Sequence, residues 1–199
     1  MDNDLAALAE AENWFGAGRT HDRFIVLTVG AGMGFGYVCG REVVTSPDSG
    51  LGLGLVASVP VRGYPDGGPV LVHNDQVVSI PAMERRAGEV LGRNVGFAEL
   101  LELAREGETD ARDLVDHAAG AVGELIGAAA TFTLPQVVVI SGEGSGFLSL
   151  ARDRMEAGIA RVWNPLAEPL KVIVRDHDFA HRARGSATLT IQHSVLDHD

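Results

Sequence analysis

The stretch "RFIVLTVGAGMGFGYVCG", from Arg23 to Gly40, has a glycine at every second position from Gly30 to Gly36, between two apolar runs. Both runs are rich in aromatic and β-branched residues, which predicts a strand, a glycine loop and a second strand. No helix pattern follows Gly36 and no Lys-Ser or Lys-Thr pair closes the loop, so a dinucleotide fingerprint and a Walker loop are excluded. Two interpretations stay open: a loop whose backbone N–H groups bind phosphate, or a structural glycine turn, which is the commoner case.

The rest of the chain alternates helix and strand patterns around this hairpin. Strands are expected at 23–30, 35–39, 42–45, 137–140 and 170–176, and helices within 1–18 and at 79–92, 97–107, 109–131, 147–161 and 179–196. The first three strands are predicted to form a β-meander. The run from Val137 to Ile140 is continuously apolar, which predicts an inner, parallel strand with helices packed over it.

Charge and composition exclude several classes of protein. The chain carries 16 Lys and Arg against 27 Asp and Glu, a net charge of −11, with no basic run, so direct nucleic-acid binding is not expected. It shows no signal-peptide pattern and no apolar run near the roughly 20 residues of a membrane helix, which predicts a cytoplasmic protein without membrane contact. The single cysteine, Cys39, lies in an apolar strand and is expected to be a buried packing residue.

Four segments, in this order, resemble the carboxy-terminal lobe of the ROK family, the repressors, open reading frames and sugar kinases of the actin-like ATPase superfamily. They are "DNDLAALAEAENWFGAGR", "FIVLTVGAGMGFGYVCGREV", "PQVVVISGEGSGF" and "DFAHRARGSATL". The resemblance implies an α/β fold: an actin-like ATPase (ribonuclease H-like) lobe with a mixed β-sheet, a β-meander and flanking α-helices. It also implies that residues 1–199 form one lobe, with the family's first lobe and its DNA-binding winged helix-turn-helix absent from this chain.

The resemblance also implies roles for individual residues. The kinases of the family use an Asn-Asp segment, in which the Asn binds sugar and the Asp takes the proton from the attacking hydroxyl; Asn3 and Asp4 match it. Taken alone, Asp4 is more simply a helix cap. Asp75 stands where the family has a sugar-contacting Glu. The positions matched to nucleotide-phosphate loops are Gly30, Gly32, Gly34, Gly142 and Gly144.

The sequence departs from the family in the sugar and zinc region. A Glu and a His that contact sugar and zinc in the family correspond here to Gly54 and Ala57, whose side chains bind neither. The stretch "PVLVHNDQVVSIPAM" contains no cysteine, so a zinc site built on thiolates is not expected. His73 and Asp75 fall at the places of a motif Cys and Glu, and a solvated His and Asp are expected there rather than a metal.

The two glycine loops also differ from the pattern of the family. Ala31 replaces a hydroxyl residue in the first loop, and Glu143 places a carboxylate in the second, where it would repel phosphate. These losses favour the effector-sensing and oligomerising lobe of a ROK-type transcriptional regulator, a homodimer that responds to a sugar or sugar derivative and reaches DNA only through a separate module. The alternative is a sugar kinase with Asp4 as general base and Mg-ATP as cofactor. A third possibility is a dimer scaffold without a ligand.

Overall fold

The computed structural model describes residues 4–45, 56, 59–66 and 70–175. Its strands are β1 (Arg23–Val29), β2 (Met33–Cys39), β3 (Glu42–Val44), β4 (Pro60–Arg62), β5 (Leu71–His73), β6 (Val137–Ser141) and β7 (Val172–Val174). Its helices are α1 (Asp4–Phe15), α2 (Asp75–Val78), α3 (Ile80–Leu91), α4 (Phe97–Glu106), α5 (Thr109–Thr133), α6 (Gly146–Leu150) and α7 (Arg152–Val162), with a short 3₁₀ turn at Ala17–Arg19.

Five of the strands form a mixed sheet in the order β3-β2-β1-β6-β7. β1, β2 and β3 are antiparallel neighbours, which confirms the predicted β-meander. β6 runs parallel to β1 on one side and to β7 on the other, which confirms the predicted inner parallel strand. β4 and β5 form a separate antiparallel pair.

Both faces of the central strands are covered. Alternate residues of β1 point to opposite faces, so Phe24 and Val26 belong to one apolar cluster and Ile25 and Leu27 to the other. All four are at most 2% exposed. Helices on both sides of the sheet therefore explain why this strand is continuously apolar rather than alternating.

Helix α1 packs against β2 through two glycines of that strand. A Cβ on Gly34 would lie 3.3 Å from Leu5 Cδ2, and a Cβ on Gly36 would lie 3.4 Å from the Cβ of Ala9. The helix thus approaches the sheet closely because these positions carry no side chain. This packing therefore explains two of the four alternating glycines, Gly34 and Gly36.

The opposite face is covered by α5, which packs on α7 at a glycine crossing. A Cβ on Gly123 would overlap the backbone oxygen of Met155, and a Cβ on Gly158 would overlap the backbone oxygen of Gly120. All three glycines are buried. The two helix backbones are therefore in direct contact, a geometry that larger side chains prevent.

The helix expected at 147–161 is two helices in the structure. Ala151 has φ −115° and ψ 43°, outside the helical region, and separates α6 from α7. The break directs α6 toward α4, where the Phe147 and Phe97 rings meet edge to face with centroids 6.5 Å apart. α7 then runs along α5. A single straight helix would satisfy only one of these contacts.

The expectation that Cys39 is buried was wrong, since its side chain is exposed. Cys39 is the last residue of β2 and pairs with Arg23, the first residue of β1, at the exposed rim of the sheet. The apolar composition of the strand predicted burial but did not indicate that the strand ends at Cys39. The helix predicted at 179–196 lies outside the described residues. Among the helices of the described ranges, none combines the length and apolar composition that a membrane span requires.

Candidate functional site

Two glycine loops meet at one edge of the sheet. The first, residues 30–32, follows β1, and the second, residues 142–145, follows β6. Because β1 and β6 are parallel neighbours, their carboxyl ends lie side by side, with Thr28 opposite Ser141. The Gly144 N–H donates to the Val29 carbonyl oxygen at 2.9 Å and joins the two loops directly. Ligands of open α/β sheets bind at such carboxyl edges.

The second loop needs glycine at its first position. Gly142 has φ +105°, and a Cβ there would overlap the backbone of Val29. An L side chain at this position would therefore be both strained and in collision with the end of β1. A Cβ on Gly144 would lie 3.1 Å from Val29 Cγ1, so the second loop follows the backbone of β1 closely.

The five glycines that the resemblance assigns to phosphate loops do not all lie in loops. Gly30 and Gly32 form the first loop and Gly142 and Gly144 the second, so the structure brings these four together. Gly34 instead lies within β2, against Leu5 and Thr28 Oγ1, where its lack of a side chain serves helix packing. Within the first loop, the Gly30 N–H donates to the Gly32 carbonyl oxygen at 2.9 Å.

A carboxylate lies between the two loops. Glu143 is exposed, yet a Cβ on Gly30 would be 3.2 Å from Glu143 Oε1 and 3.3 Å from Glu143 Cγ. The side chain thus extends from the second loop across the first. Any phosphate held by backbone N–H groups of both loops would lie beside this negative charge.

Two of the residues matched to sugar binding, Asp4 and Asp75, begin helices whose neighbouring residues contact β2 and the first loop. Asp4 is the first residue of α1, and its neighbour Leu5 lies over Gly34, two residues beyond Gly32. Asn3 lies outside the described residues. Asp75 is the exposed first residue of α2. The Ile80 N–H, five residues further on, donates to the Gly30 carbonyl oxygen at 2.8 Å and ties this segment to the first loop.

Between His73 and Asp75, a buried amide holds the segment in place. Asn74 is fully buried, and its Nδ2 donates to the carbonyl oxygens of Val56 and Val59. His73 and Asp75 are both exposed. Among the described residues there is no group of three or more His, Cys, Asp or Glu arranged to hold a metal. A thiolate zinc site does not fit this segment, because the chain's one cysteine ends β2 instead.

The family of the protein follows from its sequence as well as its fold. A sequence model of the ROK family matches residues 1–193. The chain belongs to the ROK family. Over 38 residues it is 50% identical to a glucokinase from Thermotoga maritima, a match that covers 19% of this chain and 12% of that protein.

Solved structures of ROK proteins have the same fold. A ROK hexokinase from Thermus thermophilus superposes with a TM-score of 0.76 and 25% identity, over 96% of this chain and 65% of its own. A ROK glucokinase from Streptomyces griseus, solved with glucose and AMPPNP, gives a TM-score of 0.75 and 22% identity over 95% and 67%. A ROK transcriptional regulator, a homologue of the E. coli MLC protein, gives 0.77 and 18% over 96% and 50%. The predicted actin-like fold is confirmed, and the chain spans between half and two thirds of these relatives.

The sequence did not single out one buried ion pair of this ROK chain. Glu12 is 2% exposed; its Oε1 lies 2.7 Å from Arg175 Nε, and its Oε2 accepts from Arg175 Nη2 at 3.1 Å and from the Ala17 N–H at 3.0 Å. A signal was available, because Glu12 is spaced i, i+4, i+7 with Leu5 and Ala9 on the sheet-facing side of α1. A carboxylate on that face requires a partner.

A cleft of about 300 Å³ lies between α5, α7 and β4. Glu124 in this cleft is paired with two arginines: its Oε1 lies 3.1 Å from Arg62 Nε and 2.8 Å from Arg161 Nε. Burial lowers the pKa of His117 at its wall, although the hydrogen bond with the Arg62 carbonyl opposes this. Burial raises the pKa of the neighbouring Tyr64 to about 12. Among the described residues, none of those matched to sugar or phosphate lines this cleft.

Proposed function

We propose that this chain is the effector-sensing and oligomerising lobe of a ROK-type transcriptional regulator that responds to a sugar or sugar derivative and transfers no phosphate. The observation that carries the proposal is the side chain of Glu143 lying against Gly30, between the two glycine loops. A kinase needs this place for the anionic phosphates of its nucleotide. A carboxylate there repels them unless a cation intervenes.

The loops also use part of their hydrogen-bonding capacity on the chain itself. The N–H groups of Gly30 and Gly144 donate to Gly32 and Val29, and the Ser145 N–H donates to the Gly142 carbonyl oxygen at 3.1 Å. Donors already paired within the protein contribute little to a phosphate cradle. Ala31 adds no hydroxyl donor to the exposed tip of the first loop. The loops retain the shape of a phosphate site with a weakened capacity for anions.

In this proposal the sugar lies beside the start of α1 and the start of α2. Asn3 and Asp4 would contact it from one side and Asp75 from the other, since Leu5 lies against Gly34 of β2 and the segment after Asp75 is bonded to the Gly30 carbonyl oxygen of the first loop. The sugar shifts the protein between two states by binding one of them better. Dimerisation would use this lobe, and operator DNA would be bound by a module other than this acidic chain.

A sugar kinase is the second candidate, and the 38-residue match to a glucokinase at 50% identity favours it. In that case Asp4 is the general base and Mg-ATP the phosphate donor, with Gly30, Gly32, Gly142 and Gly144 around the phosphates. Glu143 would then have to turn away or hold a magnesium ion. This candidate makes the opposite prediction for turnover.

An assay of ADP release separates the two candidates. The protein expressed from its complete gene is incubated with Mg-ATP and with glucose, N-acetylglucosamine or xylose, beside the Asp4→Asn variant and the matched control Asp2→Asn. We expect wild type and Asp4→Asn to be equally inactive. Turnover that Asp4→Asn abolishes and Asp2→Asn retains would establish the kinase. Turnover lost only in Asp2→Asn would place the base two residues earlier and would overturn the assignment to Asp4 as well as the proposal.

A further inference from the structure

The buried ion pair between Glu12 and Arg175 connects helix α1 to the second glycine loop. Glu12 lies eight residues after the start of α1, roughly 12 Å along the helix axis. Arg175 directly follows β7, and its backbone N–H donates to the Ile140 carbonyl oxygen at 2.8 Å. The pair therefore joins the helix that begins at Asp4 to the edge of the sheet from which the second loop departs.

Ser145 continues this connection into the loop. It is 2% exposed, and its Oγ lies 2.8 Å from the Gly142 carbonyl oxygen and 3.1 Å from that of Arg175. A serine hydroxyl has one proton, so Oγ donates to only one of these carbonyl oxygens at a time. The hydroxyl thus has two alternative partners, one within the loop and one on the residue paired with Glu12.

We propose that Glu12, Arg175 and Ser145 form a relay that transmits the position of helix α1 to the second glycine loop. The Arg175 guanidinium donates one hydrogen bond to Glu12 and lies against its second carboxylate oxygen, and Glu12 is too deeply buried to lose its partner. When α1 moves, Arg175 moves with it, and its carbonyl oxygen approaches or leaves the Ser145 hydroxyl. The three residues are positioning residues, since none of them is matched to a ligand.

The relay rests on the proposed function for its input, a sugar bound at the start of α1. Its output is the loop that carries Glu143 across Gly30. A sugar that shifts α1 thereby changes how the two glycine loops meet. The connection between the sugar side and the phosphate side then serves to signal rather than to catalyse.

Amide hydrogen exchange on the ligand-free protein tests the relay without any sugar. In Glu12→Gln the amide keeps an acceptor for the Ala17 N–H but loses the ion pair. We expect exchange of the Gly144 and Ser145 amides to rise about tenfold, while exchange in the middle of β6 changes less than about twofold. Arg175→Gln, which alters the half-buried end of the pair, should give the same pattern. Glu102→Gln, in the exposed pair with Arg105, is the control and should change neither.

Two further arms decide the outcome. Ser145→Ala should raise loop exchange to the same extent, and the double variant with Glu12→Gln should add nothing further, because both act through one connection. A uniform rise of exchange over loop and strand, or additive effects of the two substitutions, would overturn the relay.

With a sugar that binds, wild type should gain protection at Gly144 and Ser145, whereas Glu12→Gln should bind the sugar without that gain. Absence of sugar binding to wild type would contradict the proposed function, while the ligand-free arms would still decide the relay.

Discussion

Glu143 lies over Gly30 so closely that a methyl group on the glycine would be 3.2 Å from its carboxylate oxygen. The two residues belong to different loops, which follow the parallel strands β1 and β6. The contact places a negative charge at the point where both loops present their backbone. The regulator proposal and the kinase alternative differ most in what happens at this contact.

Replacing Glu143 by Gln tests the charge without changing the size of the side chain. We expect Glu143→Gln to raise the affinity for Mg-ATP or inorganic pyrophosphate about tenfold, because one like-charge repulsion is removed. The affinity for sugar should stay the same. Glu106→Gln, at the end of α4, is a control of equal charge change. Equal nucleotide affinity in wild type and Glu143→Gln by calorimetry would show that this carboxylate does not exclude phosphate.

The crossing of α5 and α7 predicts a large loss of stability on a small substitution. In Gly123→Ala the new methyl group overlaps the Met155 backbone oxygen, which cannot rotate away, so we expect a loss of about 3 kcal/mol or more. Gly88→Ala on α3 is the matched control, since its nearest neighbour is 3.5 Å away. It should be neutral or stabilise the helix by up to about 1 kcal/mol. Urea unfolding of both variants measures the difference, and equal stability would contradict the direct backbone contact.

Asp75 offers a test of the sugar side. It is exposed at the start of α2, so Asp75→Asn should leave the free energy of unfolding within about 0.5 kcal/mol of wild type. If it accepts a hydroxyl of the effector, sugar affinity should fall about tenfold or more. Asp110→Asn, exposed in the first turn of α5, is the control. Unchanged sugar affinity in Asp75→Asn would remove this residue from the site.

The partial burial of His117 predicts a dependence of stability on pH. Burial lowers its pKa in the folded protein, whereas the unfolded chain keeps a value of about 6.5. The unfolded chain therefore binds the proton more tightly, and stability is lost as pH falls from about 6.5 through the lowered pKa. His117→Gln should lose less stability than wild type between pH 7.5 and 5.5 in urea unfolding. Parallel losses in the two proteins would mean that His117 does not contribute.

Much of the sheet was predictable from local pattern. The β-branched runs at Arg23–Val29 and Val137–Ser141 and the glycine punctuation around them indicated the strands, and continuous apolarity indicated the parallel neighbour. The break at Ala151 was not predictable, because alanine favours helix and only the contacts of Phe147 require the turn. The burial of Cys39 was wrongly predicted because amino-acid composition does not indicate where a strand ends.

The candidate site was predictable in part. The sequence indicated the glycines of both loops, but the role of Gly34 in packing against Leu5 depends on where α1 lies. It also marked Glu143 as unfavourable to phosphate, without showing that the side chain reaches Gly30. The pair of Glu12 with Arg175 joins residues 163 positions apart. No local pattern connects such distant residues, and only the folded sheet brings them together.

In the proposed function the protein binds sugar without using a nucleotide. Isothermal titration of the protein expressed from its complete gene, with glucose, N-acetylglucosamine, xylose and their available 6-phosphates, with and without Mg-ATP, tests it most directly. We predict that at least one of these compounds binds and that Mg-ATP changes its affinity less than about twofold. Sugar binding that strengthens with Mg-ATP and releases ADP would overturn the proposed function and identify a kinase. Failure of every sugar to bind would contradict the sensing role.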